Sequence, residues 1–227
     1  MSVARQAATV VVLRPASAAP QILMVRRARG ASFMADAFVF PGGRVDEADG
    51  AGDDGYRNAA VRELREEAAV RVAAAALVPL SRWITPSREP KRFDARFFVV
   101  AVPADTEARV DEAEVTELLW ATAQELLLRG AQGHLTLPPP TLRTLEELAP
   151  LSSIDAVLAH ARARYDARPI QPKLLEDGLI LLPWDPEFAT AEGEGDAIAA
   201  DDALAAGTTR YVQRDGRYWP QVFTSRA

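Results

Sequence analysis

The amino-acid sequence predicts an α+β fold, in which strands and helices follow one another along 227 residues. Three observations indicate this class. Short apolar runs have the length of strands, and other segments carry apolar residues three and four positions apart, as helices do. Groups of Gly and Pro separate these segments. The length suits one large domain, or one domain with a sizeable extension, and is ample for a hydrophobic core.

The first half of the chain opens with two apolar runs on either side of a turn that contains Pro15 and Pro20. Both runs are typical of strands. A third, very short apolar run ends at Pro41-Gly42-Gly43, and a segment with helical periodicity follows it. The predicted elements are strands over residues 9–14, 21–26 and 38–40 and a helix over residues 57–70.

The second half repeats the mixture and ends on a hairpin signal. Asp215-Gly216 is a two-residue turn between apolar runs, and Pro220 in the second run indicates an edge strand. The predicted strands are residues 93–102, 115–120, 179–182, 209–214 and 217–223. The predicted helices are residues 122–129, 141–148 and 153–165.

We expect a domain over residues 1–150 and an extension over residues 151–227 packed on it. Within the extension, residues 187–209 contain six acidic residues and no basic one, and so account for the whole net charge of −6. Their small side chains can bury little apolar surface, which predicts a loop, with room for a short helix near residues 198–204.

The composition excludes several classes of protein and of site. There is no Cys and there are only two His residues, so a metal would have to be bound by oxygen atoms. No apolar stretch is long enough to span a membrane, and the N-terminus lacks a signal-peptide pattern. The negative charge argues against a nucleic-acid surface. These features favour a cytoplasmic protein without membrane or nucleic-acid partners.

The most informative stretch is Phe40-Pro41-Gly42-Gly43 followed, after eighteen residues, by Arg62-Glu63-Leu64-Arg65-Glu66-Glu67. On a helix Glu63, Glu66 and Glu67 share one face, where their like charges repel unless a cation neutralises them. Magnesium prefers such oxygen ligands, and glycines let the backbone approach closely. The alternative is an ordinary solvated face of a Glu-rich helix.

Taken together, FPGG and RELREEAAV resemble the Nudix box of the Nudix hydrolases, G-x5-E-x7-R-E-U-x-E-E-x-G-U, where U is aliphatic. The resemblance implies a mixed β-sheet between α-helices, here with a C-terminal helical and hairpin extension, and a Mg²⁺ or Mn²⁺ site for diphosphate hydrolysis. It implies that Glu63, Glu66, Glu67 and the carbonyl of Gly42 or Gly43 bind metal. Glu66, Glu67 and Arg62 would serve catalysis, with Arg62 orienting the glutamates.

The sequence departs from the box in two places. The spacing from Gly43 to Arg62 is five residues longer than in the family, so counting does not place the middle glutamate. Its candidates are Asp46, Glu47, Asp49, Asp53 and Asp54. Ala69 also replaces the last glycine of the box, which costs about 1 kcal/mol if the position is left-handed.

Longer stretches resemble the coenzyme A diphosphatase branch of the family, in its members with an interrupted box. They are residues 23–46, Trp83-Ile-Thr-Pro86, residues 91–98 and residues 138–147. The implied substrate is coenzyme A or an acyl-CoA. The alternatives are a diphosphatase for ADP-ribose, NADH or a nucleotide sugar, and a Nudix-fold binding module without turnover.

Further candidate residues lie outside the helix. Arg26, Arg27 and Arg29, with Gly43, are candidates for binding substrate phosphates, although surface charge explains the arginines equally well. Phe33 and Met34 could line an apolar pocket or simply pack in the core. Glu114 is the first candidate for a further acidic group in catalysis, and Glu112 is the second. The terminal edge hairpin could pair across a homodimer.

Overall fold

The computed structural model describes residues 3–31, 34–110, 115–205 and 207–223. The strands are β1 (Arg5–Arg14), β2 (Gln21–Arg27), β3 (Phe38–Val39), β4 (Gly42–Arg44), β5 (Val78–Ile84), β6 (Phe93–Ala101), β7 (Val115–Thr122), β8 (Lys173–Leu174), β9 (Leu179–Leu181), β10 (Arg210–Arg214) and β11 (Arg217–Gln221). The α-helices are α1 (Gly52–Ala68), α2 (Ala123–Ala131), α3 (Pro139–Leu148) and α4 (Ile154–Arg164).

The first sheet is mixed and centres on β1. Its order is β3-β2-β1-β6-β5, and in addition β4 pairs with β1 and β7 pairs with β2. The β1–β6 pair is parallel over residues 5–13 of β1, whereas the other pairs are antiparallel. Because β1 has neighbours on both sides and both of its faces are covered, its residues form a near-continuous apolar run.

Alternate residues of β1 feed two hydrophobic cores. Val10 and Val12 pack with Leu64 of α1 on one face of the sheet. Val11 and Leu13 lie in the second core, on the other face, with residues such as Leu145 of α3 and Ala161 of α4. Helices therefore cover both faces, and the prediction of an α+β fold with a mixed sheet between helices is confirmed.

The second sheet lies in the C-terminal extension and is antiparallel, with the order β11-β10-β9-β8. Asp215 and Gly216 form the predicted turn, both with positive φ. β11 ends the strand order, as Pro220 predicts. Tyr211 of β10 is fully buried in the same core as Val11 of β1. The extension is therefore packed on the first sheet through a shared core, while the domain boundaries themselves stay a prediction.

Some elements differ from the predictions. α1 begins at Gly52, five residues before the predicted start, because Asp53 and Asp54 fall in its first turn, where the helix dipole favours acidic side chains. β5 was not predicted, since Pro79, Ser81 and Arg82 interrupt its apolar pattern.

The acidic segment is a loop, as expected, but it is anchored. Its described residues form turns and bends without helix or strand, so the short helix near residues 198–204 is wrong. The side chain of Asp202 accepts a hydrogen bond from the backbone of Leu204 and so stabilises a turn. Phe188, Ile198 and Leu204 are buried. Within the described part of the chain, no helix combines the length and apolarity needed to cross a membrane.

Candidate active site

The last two turns of α1 bring the predicted carboxylates to the glycine pair. Glu67 is only 4% exposed and accepts a hydrogen bond from the backbone N–H of Gly42 at 2.8 Å. Glu63 packs directly against Gly43. A helix face and a strand end that lie far apart in sequence thus form one site, through the contact between α1 and β4.

Both glycines are required by this close approach. A Cβ atom at Gly42 would collide with the carbonyl oxygen of Ala8 on β1. A Cβ atom at Gly43 would collide with the carboxylate of Glu63. The absence of side chains therefore lets β4 pair with β1 and contact α1 at the same time.

Arg62 organises the charges around these residues. Its Nε and Nη2 donate to the two carboxylate oxygens of Asp49 at 3.0 and 2.8 Å. Its Nη1 donates to Glu63 at 2.8 Å and to Glu66 at 3.0 Å, and Nη2 also reaches the carbonyl of Arg44 at 2.9 Å. A planar guanidinium suits such a bidentate contact. These hydrogen bonds, led by that of Asp49, raise the pKa of Arg62 well above its usual value.

Among the five acidic candidates for the middle box position, Asp49 makes the bidentate contact with Arg62, while its role in the box stays a prediction. Its side chain is 5% exposed, and the hydrogen bond from Arg62 holds its pKa below the ordinary value. Asp46 lies farther from Arg62, at 3.6 Å, and Asp53 instead pairs with Arg96. A signal was present: five residues separate Gly43 from Asp49, as in the first half of the box, so the extra residues fall after Asp49.

The site opens on a cavity of about 1260 Å³. One part of its lining is the charged end, made of Gly42, Gly43, Arg62, Glu63, Glu66 and Glu67. Another part is an apolar wall, made of Trp83, Phe97, Pro172, Ile180 and Tyr218. The volume exceeds that of pockets for drug-sized ligands, which hold roughly 300–1,000 Å³. The cavity can therefore accommodate an extended ligand with one polar and one apolar portion.

Only one of the three arginines proposed for substrate phosphates lines this cavity among the described residues. That residue is Arg27. Arg26 pairs with Asp36 at 2.9 Å and with Glu117 at 3.3 Å, and the side chain of Arg29 is 86% exposed. Besides Arg27 and Arg62, the cationic side chains of the lining are Arg5, Arg44, Lys91 and Arg92. Sequence reasoning missed these because they come from strand ends and a loop that converge only in the fold.

Several predicted residues lie outside the described part of the chain, namely Phe33, Glu112 and Glu114, and their roles stay predictions. Met34 does line the cavity.

Ala69 has the left-handed conformation that the box glycine implied, with φ 56° and ψ 15°. It ends α1, and its N–H donates to the carbonyl of Arg65 at 3.0 Å. An Ala at this position carries a steric cost that a Gly would not. The expected destabilising departure from the box is therefore present in the fold.

The chemistry of the charged end fits a hard divalent cation, because it offers carboxylates and backbone carbonyls without thiol or imidazole. Arg62 holds Glu63 and Glu66 in its own ion pairs. In that arrangement, across the described residues, no three acidic or His side chains are grouped around a single ion position. Glu63 and Glu66 would have to turn from Arg62 to bind metal together with Glu67.

Comparisons with known proteins agree with this site. A family model described as NUDIX domain matches residues 3–139. A Caenorhabditis elegans protein named "Putative nudix hydrolase 7" is 26% identical in an alignment 195 residues long. The alignment covers 70% of this chain and 66% of that protein, slightly under two thirds of its length. A crystal structure of a NUDIX hydrolase from Alicyclobacillus acidocaldarius is 26% identical with a TM-score of 0.63, and the match covers 70% of this chain and 97% of that one.

A more distant structure shows the fold alone. It is the NUDIX domain of Shewanella oneidensis NrtR, complexed with ADP ribose, with 17% identity and a TM-score of 0.52 over 65% of this chain and 87% of that one. The family match covers more than half of the chain and includes both the glycine pair and all of α1. The chain therefore belongs to the Nudix family.

Proposed function

We propose that this protein is a metal-dependent hydrolase that cleaves the diphosphate linkage of a nucleoside diphosphate derivative. The observation that carries the proposal is the charged end of the cavity. There, Glu63, Glu66 and Glu67 lie beside a glycine pair, on the wall of a cavity that also contains cationic side chains. Carboxylates with arginines are suited to a metal-bound diphosphate, since the ion compensates the repulsion between substrate and glutamates.

In this proposal Glu63, Glu66, Glu67 and a carbonyl of the glycine pair hold Mg²⁺ or Mn²⁺. The ion would stabilise negative charge on the phosphates and lower the pKa of a bound water. Arg62 positions the glutamates and is itself fixed by Asp49. Gly42 fixes Glu67 through its N–H. Arg27 and the other cations of the lining bind phosphate oxygens, and Glu114 stays the candidate for a further acidic group.

The substrate that we favour is coenzyme A or an acyl-CoA, with 3′,5′-ADP and (acyl)phosphopantetheine as products. Support comes from the sequence resemblance to that branch and from a cavity with room for an extended ligand that has an apolar portion. The alternatives are ADP-ribose, NADH and nucleotide sugars, which share the diphosphate but carry more polar groups.

A substrate panel tests the proposal directly. Purified protein is incubated with coenzyme A, acetyl-CoA, ADP-ribose, NADH and UDP-glucose, with Mg²⁺, with Mn²⁺ or with EDTA, and products are separated by chromatography. We expect metal-dependent cleavage of the diphosphate, fastest for coenzyme A or its thioester. Cleavage that persists in EDTA would contradict metal dependence, and preference for another member of the panel would replace the substrate.

A binding module without turnover is the competing function. It predicts ligand binding but no product, even at high protein concentration and long times. Calorimetry beside the activity assay separates the two. Size-exclusion chromatography with light scattering tests the homodimer that the edge position of β11 suggests.

A further inference from the structure

The apolar wall of the cavity is built largely from residues that follow the family match. That match ends at residue 139, whereas Pro172, Ile180 and Tyr218 come from the C-terminal extension. Trp83 and Phe97 complete the wall from β5 and β6. The family match and the C-terminal extension thus share one cavity. The wall residues that come from the extension are apolar or aromatic.

The register of the second sheet shows why Ile180 and Tyr218 reach the cavity. Ile180 pairs with Tyr211, and Gln213 pairs with Tyr218. Directly opposed residues, and residues two apart on a strand, lie on one face, so Ile180, Tyr211 and Tyr218 share it. Tyr211 is buried in the core of the first sheet, which turns this face inward. Trp219 lies on the other face and is 37% exposed.

Most residues of the wall belong to one hydrophobic core or pack against it. Trp83, Phe97 and Ile180 belong to a single core cluster, and Tyr218 packs against it. Burial, with a smaller contribution from the negative charge of Glu89, raises the pKa of the Tyr218 hydroxyl. Both effects favour the neutral hydroxyl, which suits contact with an apolar ligand.

We infer that Tyr218, which shares one face of the second sheet with Ile180, is a specificity-determining residue that selects substrates whose diphosphate carries a bulky apolar group. The inference rests on the proposed function for its catalytic readout. The apolar group is a hydrocarbon chain or the flat face of a nucleobase, both of which pack on an aromatic ring. The extension thereby supplies substrate selection, while the residues of the family match supply the reaction.

The test compares Tyr218→Ala with Trp219→Ala, a neighbour on the same strand and the opposite face. The probes are the methyl and octyl esters of ADP and the methyl ester of UDP. We expect the wild-type protein to prefer the octyl ester of ADP over its methyl ester. Tyr218→Ala should lower kcat/KM for the octyl ester about tenfold or more, mainly through KM, and leave the methyl ester within twofold. Trp219→Ala should change neither.

A different pattern identifies the nucleobase as the group on the wall. Tyr218→Ala would then weaken both ADP esters equally and remove a preference for ADP over UDP methyl ester. The inference is overturned if Tyr218→Ala and Trp219→Ala have the same profile on all three probes. If Tyr218→Ala does not fold, Tyr218→Thr removes the ring and keeps a residue that favours strands.

A binding measurement keeps this inference separate from the proposed function. Calorimetric titration of the same esters into the wild type, Tyr218→Ala and Trp219→Ala should show the same selective loss of affinity. If the wild type hydrolyses none of the esters but Tyr218→Ala selectively loses binding, the proposed hydrolase activity is contradicted and the role of Tyr218 in ligand selection is supported. Hydrolysis by the wild type, with equal profiles for Tyr218→Ala and Trp219→Ala, would support the proposed enzyme and contradict the role of Tyr218.

Discussion

The charged end of the cavity and its apolar wall are built in different ways. The charged end comes mainly from two short stretches, the glycine pair and α1, and is held by directed hydrogen bonds of 2.8–3.0 Å, including one from Arg62 to Asp49. The apolar wall draws on β5, β6 and the extension, and acts through non-directional contact. Chemistry needs fixed atoms in fixed places, whereas selection needs only shape and apolar area, so the two ends tolerate change differently.

The largest effect expected is on turnover at the charged end. Glu67→Gln keeps an oxygen that can accept the N–H of Gly42 but removes the negative charge. We expect kcat to fall about 10³-fold, since charge stabilisation by a bound metal is worth several kcal/mol. Turnover of the favoured substrate measures it, with circular dichroism to show that the fold survives. A kcat within threefold of the wild type would remove Glu67 from the site.

A smaller effect, on stability, is expected when Arg62 loses its ion pair with Asp49. Asp49→Asn breaks a bidentate ion pair with a nearly buried carboxylate, although Arg62 keeps Glu63 and Glu66. We expect the free energy of unfolding to fall by about 2 kcal/mol. Urea denaturation at neutral pH measures this, and Asp46→Asn, at a weaker contact of 3.6 Å, is the matched control.

The same pair predicts a pH dependence. The pKa of Asp49 is lowered in the fold by Arg62, so its contribution is fully present above the unfolded value, about 3.9. It is lost as the pH falls through the lower, folded value. Below about pH 4 the wild type should therefore lose its advantage over Asp49→Asn. Equal acid slopes for both proteins would show that Asp49 is not coupled to folding.

The carboxylate helix could be predicted from sequence because its members lie within one helix and its period is visible. Asp49 keeps the spacing of the first half of the box, but choosing it among five acidic residues also required its contact with Arg62, which depends on how the segment before α1 folds back. The apolar wall could not be predicted from the sequence, for a stronger reason. Nothing in the residues around Tyr218 indicates which face of a terminal hairpin is turned toward residues more than a hundred positions earlier.

The extension offers a comparable test away from the charged end. Lys173 is buried, donates from Nζ to the carbonyls of Phe188 and Ala191 at 2.8 Å, and lies 4.4 Å from the ring of Phe188. Lys173→Met leaves both carbonyls without this donor, and we expect a loss of about 1.5 kcal/mol in the free energy of unfolding. The kcat for a small substrate should stay within twofold. A loss of kcat in Lys173→Met would show that the extension around Lys173 affects the reaction at the charged end.

The smallest effect concerns the end of α1. Ala69→Gly relieves a left-handed Ala and should raise the free energy of unfolding by about 0.5 kcal/mol, because greater freedom of the unfolded chain offsets part of the gain. Thermal denaturation measures it, with the helical Ala68→Gly as a destabilising control. A lower stability for Ala69→Gly would show that the left-handed end is not strained.

The parallel pairing of β1 with β6 has a consequence for biosynthesis. β1 is synthesised well before β6, its neighbour on one side, which spans residues 93–101. Until those residues emerge, a Val-rich strand has one unsatisfied edge, which is an opportunity for pairing with another nascent chain. We expect folding to be slow for this reason, and truncated chains that end before β6 to aggregate.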